Sequence, residues 1–377
     1  MIDTITLSIP QEKFEILDYD AFNPTAKGLY EPPFYKLSKG SISCVQNPSK
    51  SELQNGVYKP KLTLSKRIIN GGFSICLKIE FSIPKLLYGN NFNEIEENNF
   101  EEIIYLLQKT LLQMRINISL QALVYAKVVG IHYSKNFHLK NASSSLVISK
   151  IGRLNISKRL DSSNTDFRNE GQSVHFHTNS YDLTFYDKVK DLEQSRISDK
   201  RAVENDNAIQ LDLLCDKFSS KEILRMEVRL NTSKKIKAIL KKCQIEKDEL
   251  IFFELFDKEI SKKVLNHFWD EYIEQSLGSL LLCEETVIEL FYKIEKNCSK
   301  KIALQLLGAI KVIECEGFRT LKSLLPSHTY QRIKSELAKI DSDESYLYNV
   351  FKGIKTDLKA MNSLKIEDIE AIDLGEI

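Results

Sequence analysis

Val174-His175-Phe176-His177, followed by Leu183-Thr184-Phe185-Tyr186-Asp187-Lys188-Val189-Lys190-Asp191-Leu192-Glu193, is the stretch that sets the reading of this chain. Its first part alternates polar and apolar residues with the period of a strand. His175 and His177 therefore point one way and Phe176 the other. Residues 178–180 suit a turn, so a β-hairpin is predicted, with Tyr186 near the end of its second strand. Two imidazoles side by side suit a divalent metal. A tyrosine beside a metal attacks a phosphodiester once its proton is removed and the target is polarised. DNA nicking is thus the first chemistry that the stretch suggests.

Working outward, the pattern up to about residue 235 is mixed, with strands prominent. Residues 4–9, 72–83, 124–133 and 223–230 alternate or run β-rich, and residues 144–156 are weaker strand candidates. Pro84 breaks the second of these, and residues 86–91 read as a turn. Residues 99–114 carry a helical apolar stripe, and residues 161–171 form a polar loop. Beyond about residue 232 the spacing turns helical at 234–243, 253–269, 283–297, 300–316, 329–340 and 346–364, with Gly317 as a C-cap. The fold class predicted is α+β: an antiparallel-sheet domain over residues 1–235, then a mostly helical region over 236–377.

Composition narrows the function classes. The chain has 377 residues, 42% hydrophobic and 28% charged, enough for two or three domains. Lys and Arg number 53 against 52 Asp and Glu, so a nucleic-acid partner has to be met by local basic surfaces. No run approaches the roughly 18 apolar residues of a membrane span, and the N-terminus lacks the pattern of a signal peptide. The seven cysteines are scattered with no C-x-x-C pair. That argues against a zinc ribbon, a disulfide framework or a redox motif and fits a reducing cytoplasm.

The chemistry-bearing residues each have two readings. Tyr186 is an aromatic strand residue or a nucleophile. Lys188 stabilises phenolate or phosphate charge if it shares that face. Asp187, Asp191 and Glu193 supply acceptors, or they form the solvated first turn of a helix. Glu227 lies in a strand with Arg225 and Arg229 on the same face. A carboxylate on an inner sheet face is either paired with these arginines or bound to a metal. His132 joins Glu227 if their strands are adjacent. His175 and His177 are metal ligands or polar residues of an exposed sheet face. In the HUH nicking fold the tyrosine follows the histidine pair by several tens of residues, on a helix. Here only eight residues separate His177 from Tyr186, a departure from that pattern.

Several motifs in order resemble the gene II/X replication initiators of filamentous phages and related plasmids, which are rolling-circle nicking-closing enzymes. They are the start Met1-Ile2-Asp3 with its alternation to Pro10, and the stretch Ser82-Ile83-Pro84-Lys85-Leu86-Leu87-Tyr88-Gly89-Asn90. Thr184-Phe185-Tyr186-Asp187-Lys188-Val189-Lys190-Asp191-Leu192 is similar to the family's tyrosine motif, with Asp191 in place of Glu. Leu224-Arg225-Met226-Glu227-Val228-Arg229 is similar to its R-x-E-x-R strand. Gly308, Glu316-Gly317-Phe318 and Pro326 follow in matching order. The resemblance implies Tyr186 as the nucleophile that becomes joined to a DNA 5′ phosphate. It implies Lys188 as its support and Glu227 as a ligand for Mg²⁺ or Mn²⁺. Where the family tends to have an acidic residue, this chain has Gly130. His132 stands in for the missing ligand, or other residues do.

On that reading the reaction yields a phosphotyrosine link and a 3′ hydroxyl that primes a polymerase, and its reversal rejoins the strand. The partners implied are phage or plasmid origin DNA, a host helicase and a DNA polymerase. Residues 300–340 predict a helix-turn-helix: a helix to 316, a break at Gly317, a short helix over 320–325 and another from Ser327. There Lys322, His328, Arg332 and Lys334 meet DNA, or they are solvated residues of a helical bundle. Two alternatives remain from the sequence: a non-catalytic origin-binding replication or repressor protein in which Tyr186 is structural, and a tyrosine recombinase or relaxase of different fold.

Overall fold

Alternation in Ile2–Pro10 (β1), regular from Thr4 onward, and in Gly72–Ser82 (β5) builds the middle of one large antiparallel sheet. The computed structural model describes residues 1–30, 41–48, 57–69, 72–139, 142–154, 165–168, 172–191, 221–275, 286–337 and 346–373. The other strands are β2 (Phe14–Ile16), β3 (Ser41–Gln46), β4 (Lys61–Ile69), β6 (Ile116–Ile118), β7 (Lys127–His138), β8 (Thr165–Arg168), β9 (Ser173–His177), β10 (Tyr181–Asp187) and β11 (Ile223–Leu230). Nine of them form the sheet in the order β3-β4-β5-β1-β7-β11-β10-β9-β8, and β2 pairs β6 separately. A mostly helical region follows β11, so the α+β class is as predicted.

The alternation sorts the sheet into two unlike faces. Ile5, Leu7, Leu64, Leu77, Ile79, Ile131, Met226, Val228, Leu183, Phe185, Val174 and Phe176 share one face and are buried. Helices cover it. Phe100–Gln113 buries Ile103, Ile104, Leu107 and Leu111, and Ser144–Arg153 buries Val147, Ile148 and Ile151. From the second half, Lys258–Trp269 brings Phe268 to within 5.8 Å of Tyr181 and Trp269 to within 6.4 Å of Phe185, centroid to centroid. One apolar cluster runs from Met1 to Met361, so both halves share it. Removing Phe185 from that cluster by Phe185→Ala would cost about 3–5 kcal/mol.

Several elements differ from the sequence reading. Residues 86–91 are no simple turn: Ile83–Tyr88 is a helix with Pro84 in its first turn, closed by Gly89 at φ 71°. Proline suits a helix start, where its missing N–H has no partner to lose. The strand expected at 144–156 is the helix Ser144–Arg153, whose N-cap Ser143 accepts from the Leu146 amide at 3.2 Å. Its apolar residues 147, 148 and 151 follow a helical period, which outweighs their β-branching. Val124 ends the helix Leu120–Val124, and β7 starts later, at Lys127. The helix read over 253–269 is two helices divided at Asp257, which caps the second. A further helix, Ile366–Asp373, was not expected.

The break at Gly317 is absent: Lys300–Leu324 is one helix, and Ser327–Leu337 follows it. A lone glycine costs a long helix only about 1 kcal/mol, too little to end it. Pro326 imposes the actual end. Residue 193, residues 161–164 and 169–171 of the polar loop, and residues 283–285 lie outside the described residues. Among the described residues, no helix is long and apolar enough to cross a membrane.

Candidate functional site

The other face of the sheet is polar, and strand register assembles the site on it. Tyr186 pairs with Arg225 and Arg225 with Asn136. The next row is His175, Thr184, Glu227 and Ser134, and the one beyond it is His177, Asp182, Arg229, His132 and Thr4. Directly opposed residues share a face and stand about 5 Å apart. This register gathers side chains that are far apart in sequence.

Asp3 reaches this face by a fold irregularity. Simple alternation places it in phase with Ile5, Leu7 and Ile9, which are buried on the apolar side. Between Ile2 and Thr4, however, β1 advances two residues while β7 advances one, from Tyr133 to His132. Asp3 is the extra residue of this bulge, and a bulge re-aims a side chain. Its carboxylate meets Arg225 on the polar side. The sequence reading of ligands missed Asp3. The available signal was an acid in the apolar phase of a strand.

Asp3, His132 and Glu227 form the one group of three potential ligands among the described residues, with ligand atoms all within 4.8 Å of one another. His132 Nδ1 lies 3.4 Å from Glu227 Oε1. Two donors each about 2.1 Å from a shared ion, at roughly a right angle, stand about 3 Å apart, so this spacing fits. Two carboxylates and an imidazole suit Mn²⁺, and Mg²⁺ with added waters. Gly130 carries no ligand, and a Cβ there would lie 3.2 Å from Thr6 Oγ1. The acid comes from the neighbouring strand instead.

Tyr186 stands beside this group. Its phenol donates to Glu227 Oε2 at 3.4 Å. Arg229 grips the same carboxylate with both arms of its fork, Nε to Oε1 at 3.0 Å and Nη2 to Oε2 at 3.1 Å. Burial works to raise the Glu227 pKa, but Arg229, then His132 and Arg225, hold it well below the ordinary range. Burial raises the Tyr186 phenol well above its usual value, Arg225 opposes that, and Glu227 adds to it. The phenol is therefore protonated at neutral pH, and its reaction needs a proton acceptor.

Lys188 is 0% exposed, its ammonium 5.6 Å from the Tyr186 ring centroid and 3.3 Å from Asp191 Oδ2. Burial pushes its pKa down to about 8, with Asp191 opposing. A lysine in that range exchanges protons readily near neutrality. Arg225 is locked beneath the site. It donates to Asp3 Oδ1 at 2.5 Å, Asn91 O at 2.8 Å and Ser134 Oγ at 2.9 Å.

His175 and His177 lie on the same face but on β9, two strands from Glu227, hence about 10 Å away along the sheet. His175 Nδ1 is 3.2 Å from Thr184 Oγ1, and neither histidine belongs to the three-ligand group. In the helical region Lys322, His328 and Arg332 are exposed and Lys334 is half-buried. Burial lowers the Lys334 pKa and the charge of Lys322 adds to it, so these two lysines are near neighbours. Their helices pack through Lys300–Leu324 onto Ser144–Arg153, which covers β9 and β10. No protein-family model, no curated protein and no solved structure matches this chain.

Proposed function

We propose that this chain is a rolling-circle replication initiator that nicks and rejoins origin DNA through Tyr186. One observation carries the reading: a tyrosine hydroxyl hydrogen-bonded to Glu227, beside a carboxylate–imidazole group, on the polar sheet face.

Tyr186 Oη attacks phosphorus, the bond to the 3′ oxygen breaks, and the DNA 5′ phosphate becomes an ester of the tyrosine. The leaving 3′ oxygen takes up a proton and is free to prime a polymerase. Glu227 orients the phenol by its hydrogen bond, and Lys188, when neutral, accepts the phenol proton. Asp191 holds Lys188 in place. Asp3, His132 and Glu227 would hold Mg²⁺ or Mn²⁺, which polarises a non-bridging phosphate oxygen and offsets developing charge. The ester retains the phosphodiester's energy, so attack by a 3′ hydroxyl rejoins the strand without ATP. Lys322, His328, Arg332 and Lys334 supply a second contact to phage or plasmid origin DNA, and a host helicase and polymerase act on the product in the cytoplasm.

The test is Tyr186→Phe on supercoiled plasmid carrying the cognate origin, with and without EDTA. The unaltered protein should nick the plasmid and leave a DNA–peptide adduct that tryptic mapping places at Tyr186. If the phenylalanine variant still traps DNA covalently, the assignment is wrong. If nicking survives EDTA, the metal role is wrong.

A further inference from the structure

Two arginines flank Glu227 on β11, and the structure anchors them very differently. Arg225 is 3% exposed and spreads its donors over Asp3, Ser134 and the Asn91 carbonyl. Arg229 is 35% exposed, and its hydrogen bonds both go to Glu227. One guanidinium is built in, and the other is hydrogen-bonded to one carboxylate at the edge of solvent, with Asp182 opposite it on β10.

That carboxylate is the one a cation would use. Arg229 spans both Glu227 oxygens in the bidentate geometry guanidinium prefers, and with the Tyr186 bond it takes up three of the carboxylate's roughly four lone-pair sites, so a divalent cation competes with Arg229 for this carboxylate. Charge balance points the same way. Asp3 and Glu227 are already matched by Arg225 and Arg229. A dication added without other change leaves excess positive charge, offset only in part by Asp182 opposite Arg229, which is costly at low dielectric. An anion arriving with it relieves the excess.

The position of Arg229 identifies that anion. Its Nη2 and the Tyr186 hydroxyl sit on the same oxygen, Glu227 Oε2, at 3.1 and 3.4 Å. A phosphate presented to Tyr186 is within reach of the guanidinium by a small swing of a half-exposed side chain. Arginine pairs with phosphate in the same forked geometry that it now spends on Glu227.

Resting on the nicking site described above, we propose that Arg229 is an exchangeable cation. A divalent ion displaces it from Glu227, and the freed guanidinium binds a non-bridging oxygen of the scissile phosphodiester. Ion and DNA then enter as a linked pair, each raising the affinity of the other by the same factor.

The test uses the full chain carrying Tyr186→Phe, so that no DNA is consumed. Mn²⁺ alone is titrated by calorimetry into this protein and into versions that also carry Arg229→Gln, Arg229→Lys or Glu227→Gln. A labelled oligothymidylate is titrated by fluorescence anisotropy with and without Mn²⁺. Arg229→Gln should bind Mn²⁺ about 10-fold more tightly, since its competitor is gone, and should lose the mutual enhancement between Mn²⁺ and oligonucleotide. Arg229→Lys, which keeps charge without the fork, should fall between. If Arg229→Gln binds Mn²⁺ no better while Glu227→Gln abolishes binding, the exchange is refuted and the metal centre stands. If Glu227→Gln leaves Mn²⁺ binding intact, the metal centre itself is refuted and the exchange with it.

Discussion

Arg225 Nη2 donates to Asp3 Oδ1 at 2.5 Å across 222 positions of sequence. The pair ties β11 to a bulge in β1 and aims the Asp3 carboxylate at His132 and Glu227. Asp3→Asn keeps an acceptor for Arg225 but removes an anionic ligand. It should leave the urea midpoint near that of the unaltered protein and weaken Mn²⁺ binding at least about 10-fold. Arg225→Met should instead destabilise the fold by about 1–3 kcal/mol, since it leaves Ser134, the Asn91 carbonyl and the half-buried Asp3 carboxylate without their donor. Unchanged Mn²⁺ affinity in Asp3→Asn would remove this residue from the centre.

Lys188 gives a pH signature. Its folded pKa is about 8, below the ordinary 10.5. The folded state thus loses this proton before the unfolded state does, so stability rises with pH between about 8 and 10.5, and the gain is lost as pH falls from 10.5 to about 8. Holding the buried ammonium at neutral pH costs roughly 3 kcal/mol. Lys188→Met should flatten that part of the stability–pH curve and raise stability at pH 7 while impairing nicking. Denaturant titrations at several pH values decide it, and an unchanged slope would count against the buried ammonium.

A second buried pair serves structure. Lys135 Nζ lies 2.6 Å from Glu94 Oε2, and both side chains are buried. Burial works against ionisation of Glu94, but Lys135 and backbone donors hold its pKa below the ordinary range. Glu94 also accepts from the amides of Asn136 at 2.6 Å and Leu364 at 3.0 Å. Lys135→Met alone should cost about 3–5 kcal/mol, and a Glu94→Gln partner change should recover part of it. Hydrogen exchange should speed at the Leu364 amide in Glu94→Ala. Protection that persists there would show that this acceptor is dispensable.

Gly130 faces Thr6 too closely for a side chain to enter freely, with 3.2 Å from an added Cβ to Thr6 Oγ1. Gly130→Ala should cost about 1 kcal/mol and weaken Mn²⁺ binding slightly by shifting β1 against β7. Thermal melts and calorimetry measure both. A stabilised variant would mean that Thr6 yields without strain.

The strands that alternate were legible in the sequence, because polar and apolar phases there match the two faces of the sheet. β1, β5, β9, β10 and β11 are of that kind, and so is the shared face of Arg225, Glu227 and Arg229. Local pattern did not reveal register. The adjacency of β7 and β11, which brings His132 to Glu227, arises from pairing between residues about a hundred positions apart. Asp3 was hidden by a bulge, and the burial of Lys188 by packing that its charged neighbours 187–193 do not suggest. Ser144–Arg153 misled because Val147, Ile148 and Ile151 carry strand-type side chains at helical spacing.

The loop under Arg225 is fastened from far along the chain. Asn91 gives Arg225 its carbonyl, while Asn93 and Glu94 accept from the amides of Ile366 and Leu364. A ribosome has completed every strand of the sheet well before it reaches those residues. During synthesis, therefore, the loop under Arg225 can gain these hydrogen bonds only once residues 364–366 have been made. Translation order separates the making of Tyr186 and Glu227 from the steadying of the loop beneath them.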